Sequence, residues 1–289
     1  QQLAGWVRFL NMSMQAEVSG EVLGSKVDKA RGTFGDLRHP VLALQLAGKG
    51  SGEGLLGLIR QSPLQKRCGA AIEGLSVGGH ASVDVDMQVP LKSELGSFQL
   101  AGHADLHDAD LAESRWGLQF QSANGRLRFT EAGFSADELN VLFADQLTSL
   151  SLAVGQFTST EQHIAEGSLR GRVSIDSLLA LRPEMDWLRP HVEGVSDWSA
   201  RVTMPRAADG AHAVSVRLQS DLEGTALQLP SPLRKAASER LPADVELMLP
   251  SSSGRIDLQL GELEFARKAL GLTLAFGALG RQILREAGF

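Results

Sequence analysis

His103, Asp105 and His107, followed by Asp108 and Asp110, offer the imidazole and carboxylate groups of a zinc-type site. On a strand, however, positions 103, 105 and 107 share one face and Ala104 and Leu106 the other. That makes the cluster the solvated outside of a sheet. A catalytic metal would also need a pocket and orienting partners, and the surrounding pattern suggests neither. Gly48-Lys49-Gly50-Ser51-Gly52-Glu53-Gly54 has the glycine density of a phosphate loop. It lacks both the Gly-Lys-Ser/Thr ending and the G-x-G-x-x-G spacing, so it reads as a strand-to-helix connection. No G-x-S-x-G occurs, and Cys68, beside Lys66 and Arg67, has no partner base in its pattern and reads as incidental. The expectation is a non-enzymatic chain with no catalytic residues, no metal and no cofactor.

Composition narrows the partners. The chain has 289 residues, 43% hydrophobic and 21% charged, with a net charge of −6. It is globular in composition and carries no positive excess to neutralise phosphates, which disfavours nucleic acid. Aromatics are only 5%, with eleven Phe, four Trp and no Tyr, so the apolar surface is chiefly alkyl. That scarcity also argues against the aromatic girdles of a membrane barrel. A single cysteine excludes an intrachain disulfide. Gln1 opens the chain without a Met, and no stretch reaches the ~20 apolar residues of a membrane-spanning helix. The longest candidate, Ala269 to Gly280, is interrupted by glycines. The chain reads as a fragment of something longer, any anchor lying outside it.

Period-two alternation dominates and sets one apolar and one polar face on each strand. Val83, Val85, Met87 and Val89 alternate with Asp84, Asp86 and Gln88. Phe98, Leu100, Gly102, Ala104 and Leu106 follow, then Trp116, Leu118 and Phe120, then Leu127 and Phe129. Leu139, Val141 and Phe143 alternate too, so a strand is expected there despite the capping-box spacing of Ser135 and Glu138. Further runs are Leu150, Leu152, Val154 and Leu169, Gly171, Val173, Ile175. The second half continues with Trp198, Ala200, Val202, Met204; Val214, Val216, Leu218; Val245, Leu247, Leu249; Ile256, Leu258, Leu260; and Leu270 to Phe276. Turn chemistry separates them at Lys92 to Gly96, Ala123-Asn124-Gly125, Asp145-Gln146, Ala207 to Gly210 and Ser251 to Gly254. Helical pattern is sparse: Leu55, Leu56 and Ile59 before Ser62-Pro63, and a broken helix from Asp176 to Leu188, restarted at Pro183, in a short insert around 176–190. Trp187 and Trp198 would anchor that insert, which could serve as a lid.

One-faced antiparallel strands with so few helices leave three solutions: a closed barrel, a filled sandwich or solenoid, or a sheet curled into an open trough. The alternation alone does not choose among them. Three segments do carry a family resemblance. They are Gly50 to Leu64; Val89-Pro90-Leu91-Lys92, closing an alternating strand; and Ser220-Asp221-Leu222-Glu223-Gly224-Thr225-Ala226-Leu227-Gln228-Leu229-Pro230-Ser231-Pro232-Leu233-Arg234-Lys235-Ala236. In this order they resemble the YhdP family of AsmA-like bacterial proteins.

The resemblance implies a long curled antiparallel sheet with an elongated apolar groove, the repeating β-groove or β-taco fold, with residues 1–289 one continuous segment. It implies a Gram-negative periplasmic protein, tethered to the inner membrane by a segment outside this chain. The implied work is non-enzymatic carriage of phospholipid acyl chains between inner and outer membranes. The groove lining would be Val83, Val85, Met87, Val89, Phe98, Leu100, Leu106, Leu118, Phe120, Leu150, Leu152, Val154, Val173, Ile175, Val202, Met204, Val216, Leu218, Leu247, Leu249, Leu258 and Leu260. At about 4.8 Å between strands, a single-sheet trough of about 16 strands would run roughly 75 Å. The alternative is a structural β-solenoid or β-sandwich of a surface-exposed or polysaccharide-processing protein. A solenoid needs a fixed internal repeat. Only Gln61 to Lys66 against Pro230 to Lys235 offers an echo, and the carboxylates amid aromatic platforms expected of a carbohydrate enzyme are lacking.

Overall fold

Alternating apolar side chains with few helix formers between them favour extended backbone, because each strand can then put one face against its neighbours. The computed structural model describes residues 3–22, 25–36, 38–61, 72–114, 117–180, 186–206, 214–229, 234–249, 255–260 and 263–268. Among these are seventeen strands and two short α-helices, and the paired registers are antiparallel. The protein is therefore mainly β, and its antiparallel pairing departs from the parallel stacking of a β-helical solenoid. The chain divides into two compact units, residues 1–141 with 151–159 and residues 142–150 with 160–289.

The first unit is a meander of β1 (Leu3–Leu10), β2 (Ser13–Val22), β3 (Ser25–Phe34), β4 (Val41–Ser51), β6 (His80–Pro90), β7 (Gln99–Glu113) and β8 (Leu118–Thr130). Consecutive members of that series pair. No pairing among the described residues joins β1 to β8, so this sheet is open rather than a closed barrel. Between β4 and β6 lie helix α1 (Gly52–Gln61) and β5 (Leu75–Val77), which pairs with the far end of the 15-residue β7. Ser51 caps α1, its Oγ accepting from Gly54 N at 3.1 Å, so the glycine-rich stretch is a strand end and a helix start. Ser62-Pro63 and Cys68 lie outside the described residues.

The strands over 1–51 show little contrast between their faces. β1 is apolar on both faces, and β3 breaks period with a register shift between Val27 and Lys29. Ala123-Asn124-Gly125, expected as a turn, instead continues β8 through a bulge opposite Asp108, where Asp108 and Ser122 have φ of 47° and 48°. The Asn124 amide donates to Asp108 Oδ1 and Ser122 O at 3.1 and 2.8 Å, and Asn124 Oδ1 accepts from Asp108 N. Such a bulge bends and twists the strand pair. The expected strand over Leu139 to Phe143 is present in β9 (Gly133–Phe143), and β10 (Gln146–Gly155) pairs with it.

In the second unit, β11 (His163–Ser174) runs directly into α2 (Ile175–Ala180). The chain returns as β12 (Val192–Pro205), antiparallel to β11, then β13 (Val214–Ser220), β15 (Ala243–Leu249), β16 (Arg255–Leu260) and β17 (Leu263–Lys268). Short β14 (Thr225–Leu227) pairs with the start of β12. Ile175, expected on a strand, begins α2 and is buried with Leu179, Val192, Leu222, Leu227 and Ala243. Within the 176–190 insert, Arg189 grips the Asp176 carboxylate with two hydrogen bonds, at 2.8 and 3.1 Å. Pro183, Ala207 to Gly210, Ser251 to Gly254, Leu270 to Phe276 and Ala269 to Gly280 lie outside the described residues.

The same end of this unit buries Lys235. Its ammonium donates to Leu222 O, Thr225 O and Ala236 O at 2.7, 2.6 and 3.0 Å, using all three protons. Burial lowers the amine pKa, and Glu239, Asp221 and Glu223 oppose that shift. Lys235→Met leaves three carbonyls without this donor and should lower stability by roughly 2 kcal/mol or more in urea unfolding. In the first unit, Gly102 faces Phe129, and a Cβ there would stand 2.5 Å from Asp84 O and 2.6 Å from Phe129 Cζ. Gly102→Ala should therefore lower the urea midpoint by the equivalent of about 1–3 kcal/mol, with an unchanged slope.

Candidate functional site

The antiparallel registers turn separate alternating runs into continuous apolar rows. In the first unit, Phe9, Met14, Phe34, Leu42 and Val89 stand opposite one another across five strands. The next row is Val7, Ala16, Gly32, Leu44, Met87 and Leu100, and the one after it brings Leu46, Val85, Gly102 and Phe129 together. In the second unit, Leu169, Ala200, Leu218, Val245, Leu258 and Phe265 form one such row. Gly167, Val202, Val216, Leu247 and Ile256 form its neighbour.

Burial divides the expected lining residues. Val85, Met87, Val89, Phe98, Leu100, Leu118, Phe120, Leu152, Val202, Val216 and Leu218 are half-buried. Val83, Leu106, Leu150, Val154, Val173, Ile175 and Met204 are buried. Leu247, Leu249, Leu258 and Leu260 are placed on β15 and β16 by backbone register. Where burial is described, large aliphatic side chains at successive positions of these rows are half-buried, whereas a filled sandwich core would bury them. The rows also recruit Leu42, Leu44, Leu46, Met14 and Phe34, and Val7 and Phe9 on β1, where Phe9 is 64% exposed. The Leu42-Leu44-Leu46 alternation could have been found. Its opposite face carries Ala43 and Ala47, which blurs the contrast.

The opposite face is polar and internally paired. Arg126 donates to both oxygens of Asp105, at 2.7 and 2.9 Å, and holds that carboxyl below its usual range. His103 Nε2 lies 3.4 Å from Asp84, and His107 lies 3.4 Å from Ser82 Oγ. His103, Asp105 and His107 thus share a face with cross-strand polar partners, as the alternation predicts. Among the described residues, no group of three or more His, Cys, Asp or Glu could hold a metal ion. In the second unit, Arg217 donates to Asp244 at 2.9 Å and lowers its carboxyl pKa, with Gln219 adding a further bond. At the β3–β4 turn, Arg38 holds the Asp36 carboxyl down to about 2.

Chemically, the arrangement offers alkyl surface with no nucleophile or paired acid and base among its rows. Among the described residues, no helix is long and apolar enough to cross a membrane. A family model described as YhdP protein matches residues 1–282. The chain is 20% identical over 245 residues to the intermembrane phospholipid transporter YhdP of Escherichia coli (strain K12). That alignment covers 83% of this chain and 18% of the relative, so the chain spans less than a fifth of that protein's length. No solved structure matches.

The two burial classes should respond differently to charge. Met87→Asp puts a carboxylate on a half-wet row and should cost no more than about 2 kcal/mol, whereas Leu139→Asp, at a position 0% exposed, should abolish cooperative unfolding. Circular dichroism during urea titration of the two variants reads the difference.

Proposed function

Because the chain belongs to the YhdP family, we propose that it is a non-enzymatic segment of an intermembrane phospholipid transporter, carrying acyl chains on its apolar rows. The observation that carries this reading is the set of half-buried aliphatic rows, continuous across antiparallel strands and backed by a paired polar face. A phospholipid needs alkyl surface for its tails and water for its headgroup, because burying an unpaired charge is costly. Each tail methylene taken from water is worth about 0.8 kcal/mol, and a tail moving between rows of the same character keeps most of that burial. A surface of uniform alkyl character has no deep well, so a lipid can slide along it. The name of the Escherichia coli relative supports the same substrate class.

In this reading the segment works in the periplasm, tethered to the inner membrane through parts of the protein outside this chain. Those parts would also contact the two membranes. The segment needs no cofactor, and it binds no nucleic acid. Helix α2, whose Asp176 is held by Arg189, packs Ile175 and Leu179 at one strand end of the second unit, and in this reading it limits access there.

Native mass spectrometry of the purified chain should find co-purifying phospholipid with little headgroup selectivity. Lipid-free protein after gentle extraction overturns the proposal. In the complete protein, Leu100→Asp or Leu152→Asp should block lipid transfer between donor and acceptor membranes while leaving the strand signature in circular dichroism largely intact. Unchanged transfer in both variants also counts against it.

A further inference from the structure

The apolar face of the first unit changes character along its strands. Where β4 passes into α1, Ala81 and Val83 on β6 are 2% and 8% exposed, and Ala104 and Leu106 opposite them are buried. On the other face of the same strands, His80, Asp84 and His107 are exposed. The cover therefore lies on the apolar side. Helix α1 is in contact with β4 and β5 at this end, and Leu56 and Ile72 are 5% and 1% exposed. Arg60 ties the helix down, donating to Ile72 O at 3.2 Å and Leu75 O at 2.7 Å.

One row further along, the cover ends. Val85, Met87 and Val89 on β6 and Leu100 on β7 are half-buried. The strands then reach turns whose Arg38, His39 and Lys92 are exposed to water. From Val85 to Val89 the open strip is about 14 Å long at about 3.4 Å per residue. One leaflet of a bilayer has about the same hydrocarbon depth, half of a core about 30 Å thick.

We infer that an acyl chain in this unit lies along the strands, with its headgroup at the β3–β4 and β6–β7 turns and its methyl end against a stop formed by α1. This rests on the lipid-carrying reading above and adds an orientation and a depth limit to it. The Val83–Ala104 row is the boundary: rows on the turn side contact lipid, and rows on the helix side are core. The helix thus sets how much tail the unit shelters, while the neighbouring rows across the sheet leave sideways movement free.

Two photoreactive phosphatidylcholines test this on the 289-residue chain, one with a diazirine at the end of an acyl chain and one with it beside the glycerol. After irradiation and peptide mass mapping, the terminal probe should label Leu46 and Val85 several-fold more than Leu42 and Val89. The glycerol-proximal probe should show the reverse. Leu56→Ala, which thins the stop, should carry the terminal label past Val83 to Ala81. Equal labelling of both rows by both probes would overturn the inference and leave the lipid-carrying reading standing, since tails would then lie across the strands. Absence of label from the first unit with either probe would overturn both.

Discussion

A strand that is apolar on one side and polar on the other must keep its apolar side from water, and the two short helices among the described residues are too little to do it. Everything else in the two units follows from that constraint. Antiparallel pairing gathers the apolar sides into rows, and the polar sides into ladders such as Asp105 with Arg126 and Arg217 with Asp244. The polar ladders leave the outer face self-sufficient in water, although such exposed ion pairs add little stability individually. The apolar rows are covered only in part.

Both units use the same chain path at one end of their strands. A long strand runs without a loop into a short helix, and the chain comes back as a strand paired with the first: β4, α1 and β6 in one unit, β11, α2 and β12 in the other. In the first, Leu56 and Ile72 are buried at the strand ends; in the second, Ile175 and Leu179 join Val192, Leu222 and Leu227. These packed ends supply the close contacts that a half-open sheet lacks. Lys235, with its ammonium shared among three carbonyls, and the buried Ser196–Thr225 hydroxyl pair at 3.0 Å pin the second cap. The stretches left open keep uniform alkyl character.

Much of the fold was legible because period two is a strong signal when the faces contrast. Val83 to Val89 against Asp84 to Gln88 reads as β6 at once. The signal failed where the contrast faded: on β1, with Trp6 and Leu10 on one face and Val7 and Phe9 on the other, and on β4, where Ala43 and Ala47 back the leucines. It also misled at Ala123-Asn124-Gly125, since Asn and Gly serve a bulge as readily as a turn. Ile175 continues the alternation of β11 by type, yet the backbone has already entered a helix there.

The sequence by itself determined that the chain is mainly antiparallel β, that its polar clusters face solvent, and which family it belongs to. These properties depend on residue type and spacing along the chain, and both are written in order. Only the tertiary structure decided which members of an apolar face are core and which are half-exposed. Val83 and Val85 are the same residue type two positions apart on one strand, and nothing local distinguishes them. The difference arises from position along the strand: Val83 lies toward the end where β4 meets α1 and Leu56, Ile72 and Ala81 are buried, and Val85 lies on the half-exposed stretch beyond it.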